Sequence, residues 1–409
     1  MGIQVEVGPE RIVLTDGLQP FMVRSESGAI WTMAQTTPPP GLVLPARNVM
    51  GLVPAYIISR DGGRSWQRWQ TTAMQEARTG ASELALPETR FRLGMPMFEG
   101  AATALRDGTV LLMEWIADGP DEHGNFTGQV WESHDDLATF QGPYPSMIPL
   151  PQAKIGYDDC GNPYTGVTFH RTLLELPDGD LLATVYCWFQ GDDTPCPYQP
   201  SMCKFRCILL RSSDRARSWR YVSTIAADPA VGEEGFDEPV MVRLTKGGCA
   251  ATKPRNLRPV ARNRGLVTQG VHPGRLLVLM RTGSNDCPLY QCHSDDDGAT
   301  WSAPRPLEIT GVDPDLVEAA DGTLVGVVGR RDWKNQQEKC YYQLIASEDG
   351  GASWRIAAEW RWEPYSGIER TTSYPAIVEV EPGHLLALYD IGAWGEPVRY
   401  IGARDVWLR

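Results

Sequence analysis

The chain has no stretch approaching the ~18 consecutive apolar residues that a membrane-spanning helix requires, so no membrane partner is expected. Basic charge is in short supply as well: 38 Lys and Arg stand against 51 Asp and Glu, a formal net charge of −13. A nucleic-acid reader needs a basic face to neutralise phosphates, and this deficit argues against that partner. Histidine is scarce, with six in 409 residues, and no His-x-Glu metal pattern, Cys-His nucleophile pair or glycine-rich phosphate loop occurs. Nothing in the sequence calls for a cofactor or a metal. Nine cysteines cannot all pair within one chain, and neither the 196–207 group nor Cys287 with Cys292 has zinc spacing, so buried free thiols are expected. No Ser/Gly linker or low-complexity run marks a boundary, and 1–409 reads as one domain. The start, MGIQVEVGPERIVL, alternates instead of forming a basic-then-apolar signal segment. The expectation is a cytoplasmic protein as the chain stands, or a secreted or periplasmic one if a leader has been removed.

What the chain does have is a repeat. SRDGGRSW at 59–66, SSDRARSW at 212–219, SDDDGATW at 294–301 and SEDGGASW at 347–354 share Ser-x-Asp-x-(Gly/Ala)-x-(Ser/Thr)-Trp, and SHDDLATF at 133–140 is a worn fifth copy. Asp and Ser side chains accept hydrogen bonds from backbone N–H groups in a tight turn, Gly supplies positive φ, and Trp packs beneath. The motif therefore reads as a hairpin staple within a repeat architecture. These residues resemble the Asp-box (BNR) repeat of the sialidase superfamily. That resemblance implies an all-β, six-bladed propeller with the boxes on the face away from the active site.

Between the boxes, apolar runs are broken by turn glycines at Gly28, Gly108, Gly179, Gly247, Gly322 and Gly383, one per blade. A basic insertion at about 248–272 interrupts blade four, where the hairpin resumes at PGRLLVLM. Eight positions before the glycines stand Pro20, Gly100, Arg171, Pro239, Pro314 and Pro375. Proline is tolerated where its missing N–H breaks no ladder, as on the edge strand that lines a propeller channel. One residue earlier come Gln19, Glu99, His170, Glu238, Asp313 and Tyr374, all polar where a buried strand would ordinarily carry Val, Ile, Leu or Ala. They read as a functional ring at the channel mouth, or as groups that satisfy one another in a plugged channel. The last blade lacks a box hairpin, and the segment Ile3 to Leu14 is the expected donor of its closing strand.

Glu238, Arg281 and Tyr374 match, by position within their blades, the sialidase pattern of a Tyr nucleophile, a Glu that takes its proton and an Arg that helps hold a substrate carboxylate. A phenol of pKa near 10 needs such a base to attack at neutral pH. Tyrosine-using sialidases are a known exception to the two-carboxylate rule of glycoside hydrolysis. The pattern then breaks. Leu18 stands where the first triad Arg would be, residues 27–60 hold no Asp, Glu or His to serve as the acid, and Lys339 replaces the third Arg. Losing two charge-assisted partners, each worth roughly 1.5–3 kcal/mol, argues against sialic acid.

The expectation is a sialidase-like glycoside hydrolase acting on a terminal, possibly acidic, sugar, with carbohydrate as its partner. Glu99 is the first choice for the replacement acid, ahead of Asp313 and the Asp158/Asp159 pair. Gln19, Arg171, Asp158, Asp159 and Arg331 are further candidates for sugar contacts. Trp115, Tyr157, Tyr164, Trp188, Trp333 and Trp394 are candidate stacking platforms. His170 opens two alternatives: a lyase that uses His and Tyr to abstract a proton beside a uronate carboxylate, and a non-catalytic carbohydrate-binding propeller.

Overall fold

The structure is a computed structural model that describes residues 3–38, 40, 52–69, 100–246, 273–283, 287–330, 340–361 and 370–409. Every regular element among them is a strand and none is a helix. Six small sheets ring an axis, as the repeat predicts. Their inner strands are Leu18–Arg24, Ala102–Ala104, Thr168–Glu175, Asp237–Arg243, Val312–Glu318 and Ala376–Glu381. Each contacts the inner strands of its two neighbours, and the sixth returns to the first.

Burial explains the strand sequences. The second strands of blades three and four, Leu181–Phe189 and Leu276–Arg281, are buried almost throughout, because both faces pack on neighbouring blades. An outer strand such as Arg305–Thr310 is exposed at its start and then alternates. Register separates the two ends of the propeller. In blades one to five the first residue of the second strand pairs with a box serine: Ile30 with Ser59, Val110 with Ser133, Leu181 with Ser212, Leu276 with Ser294 and Leu324 with Ser347. The glycine turns and the boxes therefore share one end, and each inner strand starts at the other.

The boxes are staples. In the first, the Gly63 N–H donates to Ser59 Oγ at 2.8 Å, while the Ser65 N–H and hydroxyl donate to the two Asp61 oxygens at 2.9 and 2.6 Å. Ser294, Asp296, Gly298 and Thr300 repeat the arrangement. Three box tryptophans bond to the preceding blade: Trp219 Nε1 to Ser146 Oγ, Trp301 Nε1 to Ser223 Oγ and Trp354 Nε1 to Gln291 Oε1. Gly298 has φ +85°, and a Cβ there would lie 2.0 Å from Leu209 Cδ2 of the blade before, so a side chain here would be strained and would push Leu209 aside.

In blade four Gly247 and the insertion lie outside the described residues. The observed turn glycine is Gly274, which has φ +97° and donates its N–H to Leu244 O at 2.6 Å. Eight of the nine cysteines are described; all are free and five are buried.

The N-terminal segment closes the ring as expected. Val5–Val7 and Arg11–Thr15 both pair antiparallel with Tyr400–Leu408, placing Val5 opposite Leu408 and Thr15 opposite Tyr400. The two ends of the chain thus supply one blade. Deleting residues 1–14 should lower the melting temperature by about 10 °C or more, because it strips an entire sheet edge. A truncated protein that melts with the full-length chain in calorimetry would contradict this closure.

Candidate active site

In blades one, three, four and five the ring residue sits at a defect in its inner strand. Leu18 pairs with Gln35 and Phe21 with Met33; Asp237 pairs with Arg281 and Val240 with Leu279; Val312 pairs with Gly329 and Asp315 with Val327. Two inner-strand residues thus oppose one, a β-bulge, which bends the strand and re-aims its side chains. The first residue of each pair is left-handed: Gln19 at φ 52°, Glu238 at 40° and Asp313 at 46°. In blade three the bulge is one residue longer, between the Phe169–Val185 and Leu173–Ala183 pairs, and the left-handed residue is Arg171 at φ 52°. In blade six it is Ser373 at 70°, displaced by a further irregularity between Glu379 and Glu381. In blade two it is Gly100 at 77°; Glu99 lies outside the described residues. Counting nine back from the glycines lands on the left-handed residue in blades one, four and five, one position before it in blades two and three, and one after it in blade six.

The bulge in blade four brings the expected constellation together. The Tyr374 hydroxyl donates to Glu238 Oε1, and Arg281 Nη1 donates to that same oxygen. Glu238 Oε2 accepts the Asp313 backbone N–H at 2.9 Å, so both oxygens of the carboxylate are fixed. Tyr374 is 9 % exposed and Glu238 is 4 %. Arg281 faces inward: its Nη2 lies 2.8 Å from Glu234 Oε2 and its Nε 4.0 Å from Asp237 Oδ1. Burial works against the charge of Arg281, but Glu234, Glu238 and Asp237 outweigh it and hold its pKa well above the ordinary value. Burial and then the neighbouring Glu234 push the Asp237 carboxyl well above the usual carboxylate range.

The rest of the ring forms a plug. Arg171 donates from Nε to Asp313 Oδ1 at 3.1 Å, from Nη2 to Asp313 Oδ2, and from Nη2 to Pro375 O at 2.6 Å. Its Nη1 lies 3.5 Å from Asp315, and its guanidinium caps the Phe21 ring at 4.5 Å. A Cβ on Gly100 would meet Arg171 Cδ at 3.2 Å. His170 has no exposed surface; its Nε2 lies 3.1 Å from Asp313 Oδ1 and its Nδ1 3.2 Å from Pro239 O. Burial pushes the Asp313 carboxyl up, but Arg171 and then His170 outweigh it, and its pKa is held below the ordinary range. This carboxylate is a counter-ion, poorly suited to donating a proton. Gln19 is also inside, its Oε1 accepting from Gln35 and its N–H donating to Asp390 at 2.9 Å.

Known proteins share the fold. The family model of the BNR repeat-like domain matches residues 92–386, more than half of the chain. The chain belongs to the BNR repeat-like family. Solved structures similar to this BNR-repeat propeller include a Dyadobacter fermentans protein of unknown function, at 18 % identity over 99 % of both chains with a TM-score of 0.62. A Penicillium chrysogenum alpha-L-arabinanase complexed with arabinobiose follows at 13 % identity, 98 % of both chains and a TM-score of 0.57. A sialidase from Streptococcus pneumoniae matches at 11 % identity over 96 % of this chain and 69 % of that one, with a TM-score of 0.55. No curated protein matches the sequence. The fold of the chain is shared with that alpha-L-arabinanase and that sialidase.

The remaining candidates scatter around this propeller. Asp158 caps a hairpin turn, accepting the N–H groups of Cys160 and Asn162 at 3.0 and 2.7 Å, and Asp159 beside it is exposed. Together with Cys160 they place ligand atoms within 4.8 Å of one another, the one such group among the described residues. Arg331, Trp333 and Lys339 lie outside the described residues. Trp188 is no platform: it is fully buried, stacked on Phe205 at 4.4 Å. Trp115, Tyr164 and Trp394 are half-buried, and Tyr157 is 46 % exposed. Glu234 and Asp237 escaped the sequence reading, although the run EEGFDE at 233–238 lies directly before the blade-four bulge.

The plug yields a stability prediction. Asp313→Asn leaves Arg171 buried without its main counter-charge and should lower stability by about 3–5 kcal/mol in urea unfolding. A loss under about 1 kcal/mol would show that the pair does not hold the channel together.

Proposed function

We propose that the protein is a glycoside hydrolase that removes a neutral terminal sugar by nucleophilic attack from Tyr374. The hydrogen bond from the Tyr374 hydroxyl to Glu238 carries this reading. In the first step the phenolic oxygen bonds to the anomeric carbon, Glu238 takes the phenolic proton, and the glycosidic C–O bond breaks as its oxygen is protonated by an acid. In the second, water adds to the anomeric carbon and gives a proton to the acid that was deprotonated in the first, the C–O bond to Tyr374 breaks, and Glu238 returns its proton to the tyrosine. Glu99, which directly precedes Gly100 at the plug, is the proposed acid; Asp313 is tied to Arg171 and does not fit that role.

The charge around Arg281 supports a neutral substrate. Its Nη groups are bound to Glu238 and Glu234, and Asp237 stands beside its Nε. An anionic sugar would have to displace carboxylates to reach this guanidinium. Arg281 thus holds Glu238 in place and is not the carboxylate receptor that the sialidase pattern implies. The alpha-L-arabinanase and the alpha-L-arabinofuranosidase of Fusarium graminearum, both complexed with sugar or sugar-like ligands, share this fold. A uronate lyase fits less well, because His170 is sealed inside the plug.

A panel of aryl glycosides tests the proposal. Neutral glycosides, aryl arabinofuranosides included, should be turned over while an aryl sialoside is not. Tyr374→Phe should lower kcat about a thousandfold, and Glu238→Gln should lower it at least about a hundredfold. Turnover that survives both substitutions would remove Tyr374 and Glu238 from the chemistry.

A further inference from the structure

The segment 190–205 links two strands of blade three, Leu181–Phe189 and Arg206–Ser212, at the end of the propeller where the inner strands begin. It is a tight loop. Cys196 N–H donates to Met202 O at 2.8 Å, Met202 N–H to Gln199 O at 2.9 Å, and Lys204 N–H to Thr194 O at 2.9 Å. Cys196 and Met202 are buried beneath it, and Trp188 braces it from below, donating from Nε1 to Cys203 O at 2.7 Å. At its tip Tyr198 is 43 % exposed, an unusual position for an aromatic ring on an ordered loop. Its hydroxyl is anchored, donating to Glu234 Oε1 at 2.6 Å.

Glu234 is the carboxylate that grips Arg281 Nη2, and Arg281 in turn grips Glu238. Four polar contacts in series therefore run from Tyr198 through Glu234, Arg281 and Glu238 to the Tyr374 hydroxyl. The Tyr198 ring is thereby tied to the Tyr374 hydroxyl through a continuous run of short polar contacts. The neighbouring hairpin is tied to the loop, Gln199 Nε2 donating to Asp159 O at 3.3 Å, and it carries the exposed ring of Tyr157.

We propose that Tyr198 is the stacking platform for the sugar unit next to the one that is cleaved, held at a set distance from Tyr374 by its anchor on Glu234. This rests on the carbohydrate-hydrolase reading above. A ring fixed through its hydroxyl offers an apolar face to the C–H side of a sugar with little ordering entropy left to lose. The carboxylate that anchors it, Glu234, favours a neutral unit over an anionic one.

The test is calorimetric titration of the full-length protein with arabinobiose, xylobiose and cellobiose, and with the monosaccharide of whichever binds best. Tyr198→Ala should weaken the disaccharide about tenfold while changing the monosaccharide by no more than about twofold. Tyr198→Phe, which keeps the ring and loses the anchor, should weaken the disaccharide by at most about threefold, and Tyr198→Trp should recover most of the alanine loss. Equal disaccharide affinity in wild type and Tyr198→Ala overturns the platform, as does an equal loss for mono- and disaccharide in a variant of unchanged melting temperature. Failure of all three disaccharides to bind overturns the platform and the neutral-substrate reading together. Tyr198-dependent binding in a protein whose turnover survives Tyr374→Phe supports the platform and overturns the nucleophile alone.

Discussion

The guanidinium of Arg171 stands in the channel of the propeller, and the surrounding structure is arranged to keep it charged there. Asp313 takes its forked edge, Asp315 and Pro375 O take what remains, and Phe21 lies under its face. Blades one, three, five and six are joined at this one group, and blade two contributes Gly100, where a side chain would press on it. A buried ion pair is a weak source of net stability, but removing one partner is severe. The pair works as a key, because a ring of blades that closes with any other register leaves a charge buried without its partner.

The key also reaches the proposed chemistry. Asp313 is fixed by Arg171 through its side chain and fixes Glu238 through its N–H. Glu238 is held from the other side by Arg281, which is held by Glu234. A carboxylate clamped on both oxygens presents a set lone pair to the Tyr374 hydroxyl, and such preorganisation is what a general base needs. The ring read from the sequence has thus divided in two. Gln19, His170 and Asp313 join Arg171 in closing the channel, while Glu238 and Tyr374 bond to each other.

The fold was legible because each box is a local device. Ser, Asp, Gly and Trp at fixed offsets make their hydrogen bonds within eight residues, so the motif survives without reference to the rest of the chain. The glycine count reached Gln19 and Asp313 for a related reason: turn and bulge lie on one uninterrupted strand. It slipped in blades three and six, where an extra residue in the bulge or near the turn shifts the frame, and no side-chain pattern announces such an insertion. Arg171 was legible as a position and illegible as a role, since its partners come from blades five and six. Glu234 and Tyr198 were missed because they lie on connections between strands, where the repeat supplies no ruler. Their part is visible only once Arg281 is seen to turn toward Glu234.

A tyrosine nucleophile leaves a chemical trace that no other arrangement of these residues would leave. Incubation with an activated fluorinated glycosyl fluoride of a hydrolysed sugar slows the second step and traps the covalent intermediate, which peptide mass spectrometry then locates. The geometry at the blade-four bulge predicts one sugar adduct, on Tyr374, absent from Tyr374→Phe. An adduct on Glu238 or on another carboxylate, or steady turnover with no adduct on Tyr374, would contradict it.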